Sequence, residues 1–456
     1  MARFDDILEA IGNTPMVKLG CISPSGGATI YGKCEFMNPG GSTKDRMAQH
    51  IIKKAMERGD LKPGGVIVEN TSGNTGAGLA VIAAVHGCRL ILTMPDKMSQ
   101  EKIDMLRGMG AKVVVTPTNV PADSPDSYYE TAKRIAREIP GAFYVNQYHN
   151  KDNIEAHYLS TGREIWEDMD GQIDALVVGA GTGGTISGVA RYLKERNPDV
   201  VVVGVDPIGS VYYDLFTNNR LVAPQVYKVE GIGEDMVCDA LEFDNIDRFY
   251  QVNDKECFRM TRRLAREEGL FVGGSSGGAA HVAVKLAREL GPGKSVITVF
   301  PDSGSRYLSK VYSDEWMQVN GFLEDEGVHT AGAVLAKKGG SVVWVRADDT
   351  ILQAGSFLKS KNISQAPVAD ENGKQIGTIT EQGILTAFVS GSATDQRVTD
   401  VMDKPLPIVA PATSLSKVSE VLLGQSALLV GENDTEEQVE GILSRIDIIE
   451  FLSRSA

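Results

Sequence analysis

The stretch that decides the reading is "NPGGSTKDR", residues 38–46. Asn38-Pro39-Gly40-Gly41 is turn chemistry, with proline fixing one dihedral and glycines reaching conformations closed to other residues. Ser42 then reads as a helix N-cap, with Asp45 three residues on as its capping-box partner. Met47, Ile51, Ile52 and Ala55 follow as an apolar stripe at helical spacing. Taken alone, this is a turn and a capped helix, with Lys44 solvated in the first turn. One detail resists that reading. A cation at the positive end of a helix dipole is disfavoured. The same placement helps to lower an amine's pKa, and a neutral amine is what condenses with a carbonyl. Lys44 is therefore either slightly misplaced or chemically employed, and the rest of the chain has to decide.

The chain has 456 residues, 42% hydrophobic and 23% charged, which suits two or three soluble domains. A formal net charge of -14 repels phosphate backbones and argues against nucleic-acid or anionic-membrane partners. No apolar run approaches the length of a membrane span. The opening "MARFDDILEAIGNTP" carries acids where a signal peptide carries basic and then apolar residues, so a cytoplasmic location is expected. Cys21, Cys34, Cys88, Cys238 and Cys257 are scattered without a C-x-x-C pair, which predicts reduced thiols. The histidines are equally dispersed, and no metal site is expected.

From residue 65 onward short apolar runs alternate with helical patterns. "GVIVE", "LILTM", "KVVVTP", "DALVVGAG", "VVVGVDP" and "SVITVFPD" are nearly continuous apolar runs, as in strands covered on both faces of a parallel sheet. Between them lie segments such as "GNTGAGLAVIAAVHG" and "GGTISGVARYLKE" that read as helices. The expected fold is α/β with open, mostly parallel sheets, whose ligands sit where strands turn into helices. Near 323–332 the texture becomes acidic and linker-like. Beyond it the chain repeats. "IGTITEQGILTAF" resembles "EGILSRIDIIEFL", pairing Gly377 with Gly441, Thr380 with Ser444 and Leu385 with Ile449. Each copy reads as strand, helix, strand, strand, helix, and two copies should pack together. The expected domains are 1–322, a linker at 323–332, and the copies at 333–391 and 392–456.

Four turns in the first part are dense in Gly, Ser and Thr: "NPGGSTKDR", "NTSGNTG" (70–76), "GAGTGGT" (179–185) and "GGSSGG" (273–278). Exposed amides at a helix N-terminus bind anions, and glycines let the anion approach. Gly179, Gly181 and Gly184 also satisfy the dinucleotide fingerprint G-x-G-x-x-G, with Asp206 where a ribose-binding acid would sit. Asn74 and Ser275 are each explicable as helix caps. In combination with Lys44, however, a phosphate cradle, an amide side chain and a buried hydroxyl would suffice to hold pyridoxal phosphate.

Residues 4–322 resemble the β-family of pyridoxal-phosphate enzymes, fold type II, and most nearly its cystathionine β-synthases. "NPGGSTKDR" resembles the family's Schiff-base lysine segment, "TSGNTG" its substrate-carboxylate loop and "GTGGT" its phosphate loop. "DKMSQEK", "TPTNVPADSPDSY", "NQYHN", "VEGIGED", "FPDSGSRYLSK" and "DEWMQVNGFL" match in order and spacing. The C-terminal part resembles a pair of CBS motifs, a Bateman module of α+β type. The resemblance implies that Lys44 carries the Schiff base, that Gly181, Thr182, Gly183, Gly184 and Thr185 bind the cofactor phosphate, and that Asn74 and Ser275 meet the pyridine ring. It assigns Thr71, Ser72, Thr75 and Gln147 to the substrate carboxylate, and Tyr148 and Glu230 to the second substrate. The implied reaction is β-replacement joining serine and homocysteine, with hydrogen sulfide from cysteine and homocysteine as a further output. Cysteine synthase, using O-acetylserine and sulfide, shares most of the site. A homodimer or higher homo-oligomer is implied. The animal enzymes' haem-binding segment is absent from the chain, so no haem is expected. Thr380, Ser444 and Asp447 are the candidate contacts for an adenosyl ligand such as S-adenosylmethionine. Gly383 stands where the first copy's acid would be, and Asn70 where the family has proline.

Overall fold

The computed structural model describes residues 3–71, 73–121, 124–323, 330–339, 341–391 and 395–453. Two compact units divide the chain, Met1–Phe322 and Leu323–Ala456.

In the first unit the apolar runs form two sheets. Lys112–Thr116, Arg89–Pro95, Val66–Asn70 and Ala142–Tyr144 lie side by side in that order, all parallel. The larger sheet runs Met16–Leu19, Thr29–Cys34, Ser295–Phe300, Ala175–Gly179, Val201–Pro207 and Arg248–Val252. Only its first pair is antiparallel. Val66–Asn70 is buried at every position, so nothing polar faces solvent from it and the run shows no alternation. The Lys44–Arg58 and Asn74–Val85 helices bury Met47, Ile51, Ile52, Leu79 and Ile82 in the core beside the smaller sheet. The Gly184–Lys194 helix does the same for the larger one.

The start of the Lys44 helix is anchored by charge. The Arg46 guanidinium meets Glu35 through Nε and Nη2, both at 2.7 Å, and Glu164 through Nη1 at 2.6 Å and Nη2 at 2.7 Å. Lys33 adds a 3.0 Å bridge to Glu164. The cap differs from the sequence expectation. The helix begins at Lys44 itself, Thr43 is the N-cap residue, and no side chain caps it. Ser42 Oγ accepts the Lys44 N–H at 3.3 Å, while Asp45 turns away to accept the Gly40 N–H. The Pro39-Gly40 turn presents that donor to Asp45, and so the capping box does not form.

The second unit holds two copies of one pattern. Val345–Arg346, Gln365–Ala369 and Gln375–Thr380 form one three-stranded sheet, and Ile408–Val409, Ala427–Gly431 and Val439–Ser444 the other. Helices Ile351–Lys361, Glu381–Val389, Leu415–Gly424 and Arg445–Ser453 fall at matching places. Most of the expected linker lies outside the described residues.

Candidate active site

The strand ends and helix starts of the first unit open onto one cavity of about 750 Å³. Lys44, Thr71, Asn74, Thr75, Gln147, Tyr148, Gly181, Thr182, Glu230 and Ser275, all singled out in the sequence, line it. A narrow extension is walled by Gly183 and Thr185, again with Lys44. Ser72 lies outside the described residues.

Lys44 reaches the cavity because the turn at 38–43 brings the chain from the end of Thr29–Cys34 straight into its helix. Burial lowers its amine below the ordinary value, against the pull of the Asp302 and Glu234 carboxyls. A lysine held in this way spends part of its time as the neutral amine that carbonyl chemistry needs.

The loop after Ala175–Gly179 is a cradle made of backbone. Gly183 has φ of +93°, closed to most other residues, and a Cβ on Gly184 would fall 2.1 Å from Asn153 Oδ1. Among the described residues no acceptor takes the N–H groups of Thr182, Gly183 or Gly184, which stand at the positive end of the Gly184–Lys194 helix. Asn153 donates to Thr182 Oγ1 at 3.2 Å and also to the Gln147 carbonyl at 3.0 Å. His157 Nε2 lies 3.2 Å from Thr185 Oγ1 and its Nδ1 2.8 Å from Thr161 Oγ1. Burial pulls the imidazole down to about 3, so it is neutral at pH 7 and orients the hydroxyl without adding charge. Unmet amides, two hydroxyls and glycine-lined space fit a phosphate ester.

On the other wall, Thr75 Oγ1 donates to Gln147 Oε1 at 2.6 Å, and Gln147 Nε2 donates to the Asn70 carbonyl at 3.4 Å. Beneath them Glu69 accepts the Asn146 N–H at 2.7 Å and the Gln147 N–H at 3.4 Å. Asn146 takes the left-handed conformation, with φ of 53°. Thr71 Oγ1 accepts the Gly73 N–H at 3.0 Å. Asn74 Nδ2 donates to Asp302 Oδ2 at 2.8 Å, and its Oδ1 accepts from Arg306. Tyr307 donates to the same Asp302 oxygen at 2.6 Å. Ser275 sits in the first turn of the Gly274–Leu290 helix and is buried. Glu230 is ion-paired with Lys102 and, at 2.6 Å, with Lys310. Burial pushes Glu230 up, but the two amines outweigh it and hold the carboxyl below its ordinary value.

Glu69, Asn153, His157, Glu234, Asp302 and Arg306 were given no role in the sequence. "VEGIGED" and "FPDSGSRYLSK" carried a signal for Glu234, Asp302 and Arg306, whereas His157 sits inside an unremarkable helix. Asp206, the ribose-acid candidate, is buried and accepts the Tyr213 N–H at 2.9 Å. In the second unit Asp447 accepts from Ser444 Oγ at 2.7 Å and from Lys338 at 2.9 Å, while Thr380 Oγ1 caps the Glu381–Val389 helix through the Gly383 N–H at 3.0 Å.

Comparison with known proteins agrees with this geometry. The pattern of the pyridoxal-phosphate dependent enzymes matches residues 7–302, and that of the CBS domain matches 337–390 and 398–454. Cystathionine beta-synthase of Oryctolagus cuniculus is 40% identical over 471 residues, covering 98% of this chain and 85% of that protein. The O-acetylserine dependent cystathionine beta-synthase of Bacillus subtilis is 40% identical over 310 residues, 68% of this chain and 98% of that protein. The crystal structure of the O-acetylserine dependent cystathionine beta-synthase of Helicobacter pylori superposes with a TM-score of 0.63 at 38% identity, covering 69% of this chain and all of that one (100%). The chain belongs to the pyridoxal-phosphate dependent enzymes and, within them, to the cystathionine β-synthase family. It is a pyridoxal-phosphate dependent lyase whose catalytic unit is followed in sequence by a pair of CBS domains. Among the described residues no helix is long and apolar enough to cross a membrane.

Proposed function

We propose that the chain joins serine and homocysteine into cystathionine with loss of water, on a cofactor tethered to Lys44. The observation that carries this is the convergence of Lys44, Gly181 and Thr182 of the cradle, Asn74, Ser275 and the Thr71, Thr75, Gln147 group on one cavity. Pyridoxal phosphate, when bound, supplies the electron sink for loss of the α-proton and the β-substituent.

The residues divide the work. The amides of 182–184 and the hydroxyls of Thr182 and Thr185 hold the phosphate. Asn74, pinned by Asp302 and Arg306, would hold the ring, and the Ser275 hydroxyl would be the partner of its nitrogen. A hydroxyl there does not force a proton onto that nitrogen as a carboxylate would, which favours β-elimination over other fates. Thr71, Ser72, Thr75 and Gln147 hold the carboxylate of the first amino acid, and Tyr148 and Glu230 border the second. With pyridoxal phosphate bound, Lys44 would be the base that takes the α-proton and the acid that returns it.

Lys44→Ala is expected to lose the violet-edge absorbance of the tethered cofactor and at least about 10⁴-fold of turnover. Borohydride reduction followed by peptide mass mapping should place the cofactor on Lys44, and a label elsewhere refutes the reading. Supplying sulfide in place of homocysteine separates it from cysteine synthase, which would prefer sulfide. Spectra of the purified protein should show no haem band.

A further inference from the structure

Three acids of "VEGIGED" line the same cavity, Glu230, Glu234 and Asp235, and among the described residues only Glu230 is ion-paired. Glu230 carries two amines. Four residues on, Glu234 has its backbone fixed, with its N–H donating to Ser210 Oγ at 3.0 Å and its carbonyl accepting the Val211 N–H at 3.2 Å. No described side chain donates to its carboxyl, which lines the cavity with Lys44. The reaction can use such a group: hydroxide departs only when protonated, and a second acid leaves Lys44 free to keep the α-proton for its return.

We propose that Glu234 gives a proton to the departing hydroxyl of serine and later takes one from the incoming thiol, so that it is the residue that admits serine as the donor. The inference rests on the function proposed above. In the first half, Lys44 takes the α-proton, the bond from the β-carbon to oxygen breaks with its pair on oxygen, and the Glu234 proton turns that oxygen into water. In the second half, a sulfur pair forms the new bond at the β-carbon, the thiol proton passes to the Glu234 carboxylate, and Lys44 returns its proton to the α-carbon. Both side chains end as they began, and the sum is serine plus thiol giving thioether plus water.

The surroundings suit the role. Burial, and then the charge of Asp235, push Glu234 up to about 8, with Lys44 pulling it down and Asp206 adding to the rise. The carboxyl therefore holds a proton at pH 7, and it stands near a thiol's ordinary value of about 8.5, so transfer in either direction costs little. The other titratable groups that feel its charge are the phenols of Tyr128, Tyr129, Tyr148, Tyr212 and Tyr227 and the Cys238 thiol. All six are raised and neutral, so none competes as a base near pH 7.

The test compares serine with O-acetylserine on the holoenzyme and on Glu234→Gln. Acetate leaves as an anion and needs no proton. In single turnovers of the first half, the only step in which the two donors differ, loss of hydroxyl from serine should slow about 10²-fold and loss of acetate from O-acetylserine far less, lowering their ratio at least about 10-fold. Because both rates come from one preparation, any unfolded fraction cancels. Independently of turnover, infrared difference spectra between pH 7 and pH 9 should show a protonated-carboxyl band in the parent that Glu234→Gln lacks. An unchanged ratio, equal loss with both donors, or no band that depends on Glu234 overturns the proposal. Parent enzyme that fails to consume serine while Glu234 still titrates sinks the functional reading itself.

Discussion

The two units of this chain solve the problem of a core in opposite ways. The first buries Lys33, Glu35, Asp45, Arg46, Glu69 and Asp206 among its apolar residues. In the second, among the described residues, the buried polar side chains are Gln375 and Thr378, and the rest of the core is aliphatic and aromatic. A core of hydrocarbon is stable across a wide pH range and does no acid–base chemistry. A core threaded with charge costs desolvation that only well-placed partners offset, and it keeps those groups poised. The contrast teaches that the catalytic unit's stability is tied to protonation far more than the CBS pair's.

The sharpest way to break the comparison is at Arg46. Arg46→Leu leaves Glu35 and Glu164 buried without their main partner, and losing one member of such a pair costs about 3–5 kcal/mol. Peptide-resolved hydrogen exchange at pH 7 should show protection falling across 16–300 while peptides from 345–453 keep theirs. Equal loss in both units would mean that the ion network has no special role in the first. Because Arg46 is two residues from Lys44, cofactor content should fall as well.

A smaller effect sharpens the comparison through pH. Burial pushes the Glu69 carboxyl up to about 8, partly opposed by the Asn146 and Gln147 N–H groups. Folded protein then keeps a proton that an unfolded chain has lost, so this residue's contribution is fully present below the ordinary carboxyl value and declines as pH rises towards 8. Glu69→Gln removes that slope. Its denaturation midpoint should improve relative to the parent between pH 6 and pH 8.5, by on the order of 2 kcal/mol. A difference that stays flat with pH would show that Glu69 is ionised in the fold after all.

Much of this organisation was legible in the sequence, for reasons that differ from place to place. Runs such as "VVVGVDP" announced strands because a doubly covered parallel sheet has no polar face to interrupt them. The repeat after 332 was visible because both copies bury the same positions. Lys44, Gly181, Thr182 and the Thr71, Thr75, Gln147 group were found by local chemistry and resemblance, and they line one cavity. Partners assembled by tertiary contact were not readable. Nothing near His157 announces Thr185, which is 28 residues away, and Glu69 reaches Gln147 across 78. The short edge pieces Met16–Leu19 and Ala142–Tyr144 escaped too, since three or four residues carry no period. The cap at Ser42 misled because a turn glycine competed for Asp45, a choice made in three dimensions.

The smallest effect belongs to the second unit, at Asp447 in the first turn of the Arg445–Ser453 helix. Burial raises Asp447, but the bonds from Ser444 and Lys338 outweigh it and hold the carboxyl below its ordinary value. Its contribution is therefore present at neutral pH and lost as pH falls below the ordinary aspartate value near 4. Asp447→Asn keeps the size but gives up the charge that draws Lys338, which also donates to the Ile442 carbonyl at 2.9 Å. The loss should be about 0.5–1 kcal/mol at pH 7, confined to exchange-protected amides of 439–453, and it should shrink as the pH falls below the ordinary aspartate value. The first copy has Gly383 at the corresponding place and no such acid, so Gly383→Ala should show no comparable pH dependence. If Asp447→Asn instead costs several kcal/mol, or the cost persists in acid, the CBS pair depends on buried charge after all and the division between the two units fails.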